Sequence, residues 1–248
     1  MRKKDSFLSN IKSIFLAIFI ALLIRSFVAE PFNIPSGSMK PNLLVGDFIF
    51  VSKWSYGYSK HSLPFSLDIV PDSFNMFPDK IFSKMPERGD VVVFKTPQDN
   101  RTDYIKRLIG LPGDSIQIIE GQIKINDKLI LRKKNEDFVD INKKGEKKRV
   151  RKYLEYFFDK EVEVLDLMDN GMVDNTSTYV VPEGFFFVMG DNRDNSTDSR
   201  FNVVGFVPMQ NLVGKAQFVF FSLENSRFFQ IWKWPKSIRY NRLFSFIK

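Results

Sequence analysis

The feature of this sequence that most restricts its fold is a series of short apolar runs, each ending at a glycine or polar turn. The runs are rich in Val, Ile and Phe, which favour strands, and they are shorter than typical helices. They cover residues 43–51, 88–95, 103–109, 115–119, 122–125, 179–181, 185–189 and 216–221. We therefore predict a mainly β fold.

Turn residues divide two of these regions. The runs at 115–119 and 122–125 flank Glu120–Gly121, and this arrangement predicts a β-hairpin. Residues 43–51 contain Gly46–Asp47, which predicts two short strands joined by a turn.

An apolar stretch near the N-terminus predicts a membrane anchor. Residues 14–24 are apolar. The range from Ile11 to Pro31 reaches the roughly 20 residues that a spanning helix needs, provided that Arg25 extends to the far interface. The cations before the stretch favour a cytoplasmic N-terminus, which places the rest of the chain outside the cytoplasm. A cleaved signal peptide is the alternative, but the residues after Ile24 contain no clean pair of small residues for cleavage.

Composition limits the chemistry that this chain can perform. It has no cysteine, which excludes disulfides and cysteine nucleophiles, and its one histidine, His61, excludes multi-histidine metal sites. We interpret His61 as a solvated loop residue and predict neither a cofactor nor a metal. The net charge of +8 indicates an anionic partner, and 15% aromatic residues favour lipid over nucleic acid.

The segment Pro35-Ser-Gly-Ser-Met-Lys-Pro41 has the features of a constrained turn. Gly37 permits backbone angles closed to other residues, and the two prolines stiffen the approach and the exit. A serine on such a turn can present its Oγ and its own N–H in one direction, as a nucleophile with an oxyanion donor requires. A polar turn that caps a membrane segment is the alternative interpretation.

A serine nucleophile in this chain needs a base other than histidine, and Lys106 is the best placed by pattern. On a strand, Lys106 shares a face with Tyr104 and Leu108, and desolvation between apolar neighbours lowers the pKa of a lysine. Many strand lysines face water instead, and that alternative stays open at this point.

The polar segment from Gly190 to Arg200 is unusual in its density of donors and acceptors. It lacks the ligand pattern of an EF-hand calcium loop. Asp198 and Arg200 can pair, and Ser196 can hold a neighbouring amine. A polar surface loop is the alternative.

Four ordered blocks of this chain resemble the type I signal peptidases, bacterial membrane endopeptidases that remove signal peptides from exported proteins. The blocks are residues 36–41, 88–94, 104–114 and 190–196, the last followed by Asp198 and Arg200. The resemblance implies an antiparallel β-sheet catalytic core with an inserted second subdomain, preceded by one transmembrane helix.

The resemblance also implies roles for individual residues. Ser38 is expected to be the nucleophile and Lys106 its general base, with the Ser38 N–H and the Ser36 hydroxyl as oxyanion donors. Ser196 is expected to orient the Lys106 amine, above an ion pair of Asp198 and Arg200. The substrate groove is expected to be lined by Phe32, Ile34, Pro35, Tyr104 and Ile105.

The chain is expected to divide into five segments. They are a basic start and anchor (1–30), the first part of the catalytic core (31–125, with an aromatic extension at 53–87), an inserted and mostly solvated subdomain (126–180), the second part of the core (181–222), and a basic, aromatic, membrane-proximal tail (223–248). Either the membrane surface or the core is expected to contact the aromatic extension, and nucleic-acid binding is an alternative role for the tail.

The expected protein is a monomer with a single span in the bacterial inner membrane and its catalytic part on the extracytoplasmic side. Its partners are signal peptides, cut after small residues in an Ala-x-Ala-like pattern, and membrane lipids. One alternative is a self-cleaving Ser/Lys repressor-type protease, which needs a DNA-binding helix-turn-helix where this chain has its apolar stretch. The other is a non-enzymatic, membrane-tethered binding module.

Overall fold

The computed structural model describes residues 11–21, 25, 29–58, 84–141, 146–157, 160–224, 226 and 229–248. His61, most of the aromatic extension at 53–87 and the first ten residues lie outside these ranges. Residues 11–21 are helical, and the apolar side chains from Ile14 to Ile20 that are described there are largely exposed. Within the described part of the chain, no helix combines the length and the hydrophobicity that crossing a bilayer requires.

Sixteen strands are present among the described residues. They are β1 (Ala29–Asn33), β2 (Asp47–Ser52), β3 (Val91–Lys95), β4 (Asp103–Gly110), β5 (Ser115–Ile119), β6 (Gln122–Ile125), β7 (Lys128–Leu129), β8 (Leu131–Lys134), β9 (Phe138–Ile141), β10 (Lys147–Phe157), β11 (Lys160–Asp166), β12 (Tyr179–Val180), β13 (Phe185–Met189), β14 (Val207–Pro208), β15 (Leu212–Ser222) and β16 (Ser245–Phe246). Short helical turns cover Arg193–Asn195, Met209–Asn211, Ile231–Lys233, Trp234–Ser237 and Tyr240–Arg242.

The largest sheet has eight strands in the order β1-β2-β15-β3-β4-β13-β14, with β16 paired to β15. All of its pairings are antiparallel. β5 and β6 form the predicted hairpin and belong to a second sheet with β7 and β12. The prediction of a mainly β, antiparallel fold is confirmed.

The prediction of two strands within residues 43–51 is wrong, because only β2 forms there. The Leu43 N–H donates to the Met39 carbonyl, and the Leu44 N–H donates to the Asp47 carboxylate, at 2.9 and 2.7 Å. Because these local bonds satisfy the backbone, residues 43–46 form a turn rather than a strand partner.

The inserted region is better packed than the sequence suggested. β10 pairs with β8, β9 and β11, and the side chains of Phe157, Val162 and Val164 are buried in one cluster with Ile109 and Phe187. The insertion thus has a small buried core that the sequence did not predict, while most of its described residues are exposed or half-buried, as expected. Charged neighbours obscured the alternation, since each buried valine of β11 follows a glutamate.

The tail beyond residue 229 packs against the large sheet. Arg239 and Arg242 both reach the buried carboxylate of Asp47, at 3.4 and 2.6 Å. These two cations of the tail, which was expected to lie near the membrane, thus face the protein. Several aromatic side chains of the tail are exposed, namely Phe229, Trp232, Tyr240, Phe244 and Phe246.

Candidate active site

The serine-containing turn is held in place by apolar side chains on both sides of it. Ile34, Met39 and Leu43 are at most 2% exposed and pack into one cluster with residues of β2, β3 and β15. Each such burial contributes about 1.5–3 kcal/mol. The short polar segment that contains Ser38 is thereby fixed at the edge of the sheet.

Hydrogen bonds from the 190–200 loop add a second support for this turn. The Asn192 N–H donates to the Ser38 carbonyl at 3.0 Å, and the Asn192 side-chain amide donates to the Gly37 carbonyl at 3.0 Å. Sequence reasoning did not single out Asn192. It lies within the fourth matched block, but its contact with the turn requires the two segments to meet in space.

Ser38 and Lys106 lie side by side. Lys106 Nζ is 2.8 Å from Ser38 Oγ and 3.0 Å from the Ile105 carbonyl oxygen. Lys106 is only 4% exposed and Ser38 only 7%. The first distance is within the range for proton transfer between a nucleophile and its base. Ser36 Oγ lies 3.3 Å from Ser38 Oγ.

The surroundings of Lys106 make it a weak base that is partly neutral near physiological pH. Burial removes water from the ammonium and lowers the pKa of Lys106 to about 8, while the charges of Asp198 and Asp191 oppose this effect. The ring of Tyr104 lies 5.4 Å from the amine. At pH 7 about one amine in ten is then unprotonated.

The 190–200 loop packs closely against both residues. A Cβ built on Gly190 would lie 2.2 Å from Ser196 Oγ and 2.6 Å from the Ser38 carbonyl oxygen. The Gly190 N–H donates to Asp198, which forms a buried ion pair with Arg200 at 2.9 Å. Only glycine fits at this contact, because a side chain would displace the backbone of the turn.

Ser196 is close to the site but makes no hydrogen bond to Lys106. Its Oγ is buried and has no hydrogen-bond partner among the described residues. The expected contact with the amine is therefore absent from this geometry.

Four of the five residues expected to line the substrate groove fall into two groups. Phe32 and Ile105 pack against the cluster that contains Ile34, whereas Tyr104 packs against a neighbouring cluster and meets the ring of Phe94. Pro35 is exposed. The structure thus brings three of the five side chains together beside the serine turn.

The family model described as signal peptidase, peptidase S26, matches residues 7–221. The chain belongs to the peptidase S26 family of signal peptidases. It is therefore a peptidase, a hydrolase of the serine class.

Relatives in this family cover almost the whole chain. A signal peptidase I from Rickettsia bellii is 42% identical over 253 residues, covering 94% of this chain and 83% of the relative. One from Rickettsia akari is 44% identical over 242 residues, covering 92% and 88%. A solved signal peptidase I from Enterococcus faecalis is 27% identical and covers 53% of this chain and 97% of its own, with a TM-score of 0.31.

A second ion pair of this S26 peptidase connects strand β4 to the loop. Arg107, which follows Lys106, makes a two-pronged contact with Asp191 at 2.7 Å for each bond, and both side chains are 1% exposed. Asp191 also accepts from the Asn42 amide at 2.7 Å. Arg107 and Asp191 each lie in one of the four blocks that resemble the family, but the sequence alone does not show that they pair with each other.

The site offers the groups needed for acyl transfer without a metal ligand set. Within the described ranges, histidine, aspartate and glutamate side chains do not gather in groups of three or more that could hold a metal ion. A hydroxyl, a partly neutral amine and nearby donors are the arrangement that serine nucleophiles use when histidine is lacking.

Proposed function

We propose that this S26 peptidase removes N-terminal signal peptides from exported preproteins, with Ser38 as nucleophile and Lys106 as general base. The observation that carries the proposal is the distance of 2.8 Å between Lys106 Nζ and Ser38 Oγ in a buried setting. The names of the relatives, each a signal peptidase I, support the choice of substrate.

The acylation step follows from these positions. Ser38 Oγ attacks the scissile carbonyl carbon as its proton passes to the neutral amine of Lys106. The Ser38 N–H and the Ser36 hydroxyl donate to the oxyanion that forms. Lys106 then returns the proton to the leaving amine, the C–N bond breaks, and an acyl-enzyme ester remains on Ser38.

Deacylation uses the same lysine again. After the amine product leaves, Lys106 is neutral and accepts a proton from a water molecule that attacks the ester. The proton on Lys106 returns to Ser38 Oγ as the ester C–O bond breaks, and the carboxylic acid product departs and loses its own proton to water. The enzyme is thereby regenerated without any other reactant.

Three residues of the loop are proposed to support the amine. Ser196, whose buried Oγ is without a partner among the described residues, is proposed to accept a hydrogen bond from the ammonium. The ion pair of Asp198 and Arg200 is proposed to lie beneath the amine, where the charge of Asp198 favours the protonated form of Lys106 that arises during each step.

Substrate selection is assigned to the groove beside the serine turn. Phe32, Ile34, Pro35, Tyr104 and Ile105 are proposed to form small apolar pockets for the residues one and three positions before the cut. Such pockets accept alanine-like side chains and exclude larger ones on steric grounds, which accounts for an Ala-x-Ala-like preference.

The membrane is proposed as the second partner. The exposed apolar side chains of the helix at residues 11–21 and the exposed aromatics of the tail support an anchored enzyme at a bilayer surface. We propose a monomer with one span in the bacterial inner membrane and its peptidase part on the extracytoplasmic side. We also propose that the chain divides into the five segments given in the sequence analysis. No nucleic acid takes part.

The test is cleavage of a signal-peptide-bearing preprotein by the full chain in detergent. Parent protein is expected to cut once, after the small residue, while Lys106→Ala and Ser38→Ala are expected to abolish turnover. Lys128→Ala is a matched control, because Lys128 is exposed on β7, and it should cut like the parent. Turnover by either dyad variant refutes the assigned chemistry, and an inactive parent refutes the proposed substrate.

A further inference from the structure

A buried ion pair connects the inserted strands to the 190–200 loop. Arg193 of the loop contacts Glu155 of β10 through both of its terminal nitrogens, at 2.8 and 2.5 Å. Glu155 is 1% exposed and Arg193 is 4% exposed. Glu155 lies outside all four matched blocks.

Arg193 is also bonded to both ends of the loop. Its Nε donates to the Gly190 carbonyl at 3.2 Å, and its own carbonyl accepts from Arg200 at 2.6 Å. Gly190 approaches the Ser38 carbonyl so closely that a Cβ on it would lie 2.6 Å away, and Arg200 is the partner of Asp198. Arg193 therefore connects Glu155 to the two parts of the loop that approach the dyad, through its guanidinium to Gly190 and through its backbone carbonyl to Arg200.

Glu155 is held by paired strands of the insertion. It lies opposite Val162 of β11 and Arg132 of β8, in the middle of three antiparallel strands. Arg132 approaches its carboxylate at 4.0 Å and stacks over the ring of Tyr153 at 3.7 Å. The carboxylate thus has a fixed position from which to hold Arg193.

We infer that Glu155 is a positioning residue for the reaction, and that the inserted strands hold the loop beside Ser38 and Lys106 through its contact with Arg193. This inference rests on the proposed Ser/Lys chemistry. It gives the insertion a part in catalysis that none of the motifs assigns to it.

The physical reason is the cost of a buried charge without its partner. When Glu155 loses its charge, the guanidinium of Arg193 is left buried and unpaired, and it moves toward water or toward another carboxylate. The Gly190 carbonyl then loses its guanidinium donor, and a shift of the Arg193 backbone is passed to Arg200 through the Arg193 carbonyl. A displacement of about 1 Å at the reacting groups is enough to lower the rate by about 100-fold.

The test compares Glu155→Gln with the parent in preprotein cleavage by the full chain in detergent. We expect kcat to fall about 10- to 100-fold while KM stays within about twofold, because the substrate groove is not touched. Glu161→Gln is the matched control, since Glu161 is exposed on the neighbouring strand, and it should keep the parent kcat. Parent-like kcat in folded Glu155→Gln overturns the inference.

A second variant separates positioning from simple loss of folding. The double variant Glu155→Gln with Arg193→Gln removes both charges, so its melting temperature should return toward that of the parent. Its kcat should stay low, because the Gly190 carbonyl has lost the guanidinium donor. Recovery of kcat together with the melting temperature overturns the inference and assigns the pair to stability alone.

The dyad variants distinguish this inference from the proposed function. Active parent protein, inactive Lys106→Ala and parent-like Glu155→Gln refute the positioning role alone. Turnover by Lys106→Ala refutes the Ser/Lys chemistry, and the inference falls with it.

Discussion

Replacing Lys106 with Met should inactivate the enzyme and also make its folded state more stable near neutral pH. Met has a similar length and no charge, so it fills the same buried space. In the parent, burial lowers the pKa of Lys106 from 10.5 to about 8, which means that the folded state disfavours the protonated lysine. The unfolded chain has no such preference.

The size and direction of this effect follow from proton linkage. Each pKa unit corresponds to about 1.4 kcal/mol, so the buried ammonium reduces the free energy of unfolding by about 3 kcal/mol below pH 8. Between about pH 8 and 10.5 the folded lysine is neutral while the unfolded lysine is still protonated, and the penalty shrinks as pH rises. Above about pH 10.5 it disappears.

The measurement is urea denaturation of parent and Lys106→Met, as full chains in detergent, at pH 7 and pH 10. The stability difference between the two proteins should decrease by about 2 kcal/mol from pH 7 to pH 10. Loss of the hydrogen bonds to Ser38 and Ile105 changes the stability difference by the same amount at pH 7 and at pH 10, so it does not affect this comparison. Lys128→Met, an exposed replacement on β7, should give a difference that does not change with pH. If the stability difference between parent and Lys106→Met is also the same at pH 7 and pH 10, the reasoning is refuted.

Three further outcomes are expected. The kcat/KM of the parent should rise about tenfold per pH unit below pH 8 and level off above it, because only neutral Lys106 accepts the proton; a rate independent of pH from 6 to 9.5 would contradict this. Gly190→Ala should lower cleavage by about 100-fold or more, because its Cβ would lie 2.6 Å from the Ser38 carbonyl oxygen; a parent-like rate would show that the turn tolerates displacement. Asn192→Asp keeps the side-chain shape but removes the donor to the Gly37 carbonyl, so kcat should fall about tenfold, and an unchanged kcat in a folded variant would argue against this clamp.

The strands were largely predictable because their apolar runs are short and β-branched. β3, β4, β5, β6 and β13 coincide with runs seen in the sequence. β11 was missed, since glutamates separate its buried valines and the region reads as acidic. A strand buried on one face and charged on the other is hard to distinguish from a solvated segment without its partner strand.

Pairs of residues far apart in the chain could not be predicted from physical reasoning on the sequence. Strand alternation indicated that Lys106 shares a face with Tyr104, but not that the amine reaches Ser38, 68 residues away. The pairing of Glu155 with Arg193 had no signal at all, because a glutamate in a strand of mixed charge is ordinarily solvated. Only the packing of β10 beneath the loop buries both charges together.

The sequence by itself determined that this chain folds from short strands, that neither cysteine nor multiple histidines take part in its chemistry, and that its motifs follow the order of a peptidase family. Local propensity and residue type are sufficient for those conclusions. The tertiary structure alone decided how completely the Lys106 amine is buried, to which carbonyls Asn192 donates hydrogen bonds, and that two arginines of the tail face Asp47. Burial and charge pairing depend on which strands become neighbours, and that is a property of the whole folded chain.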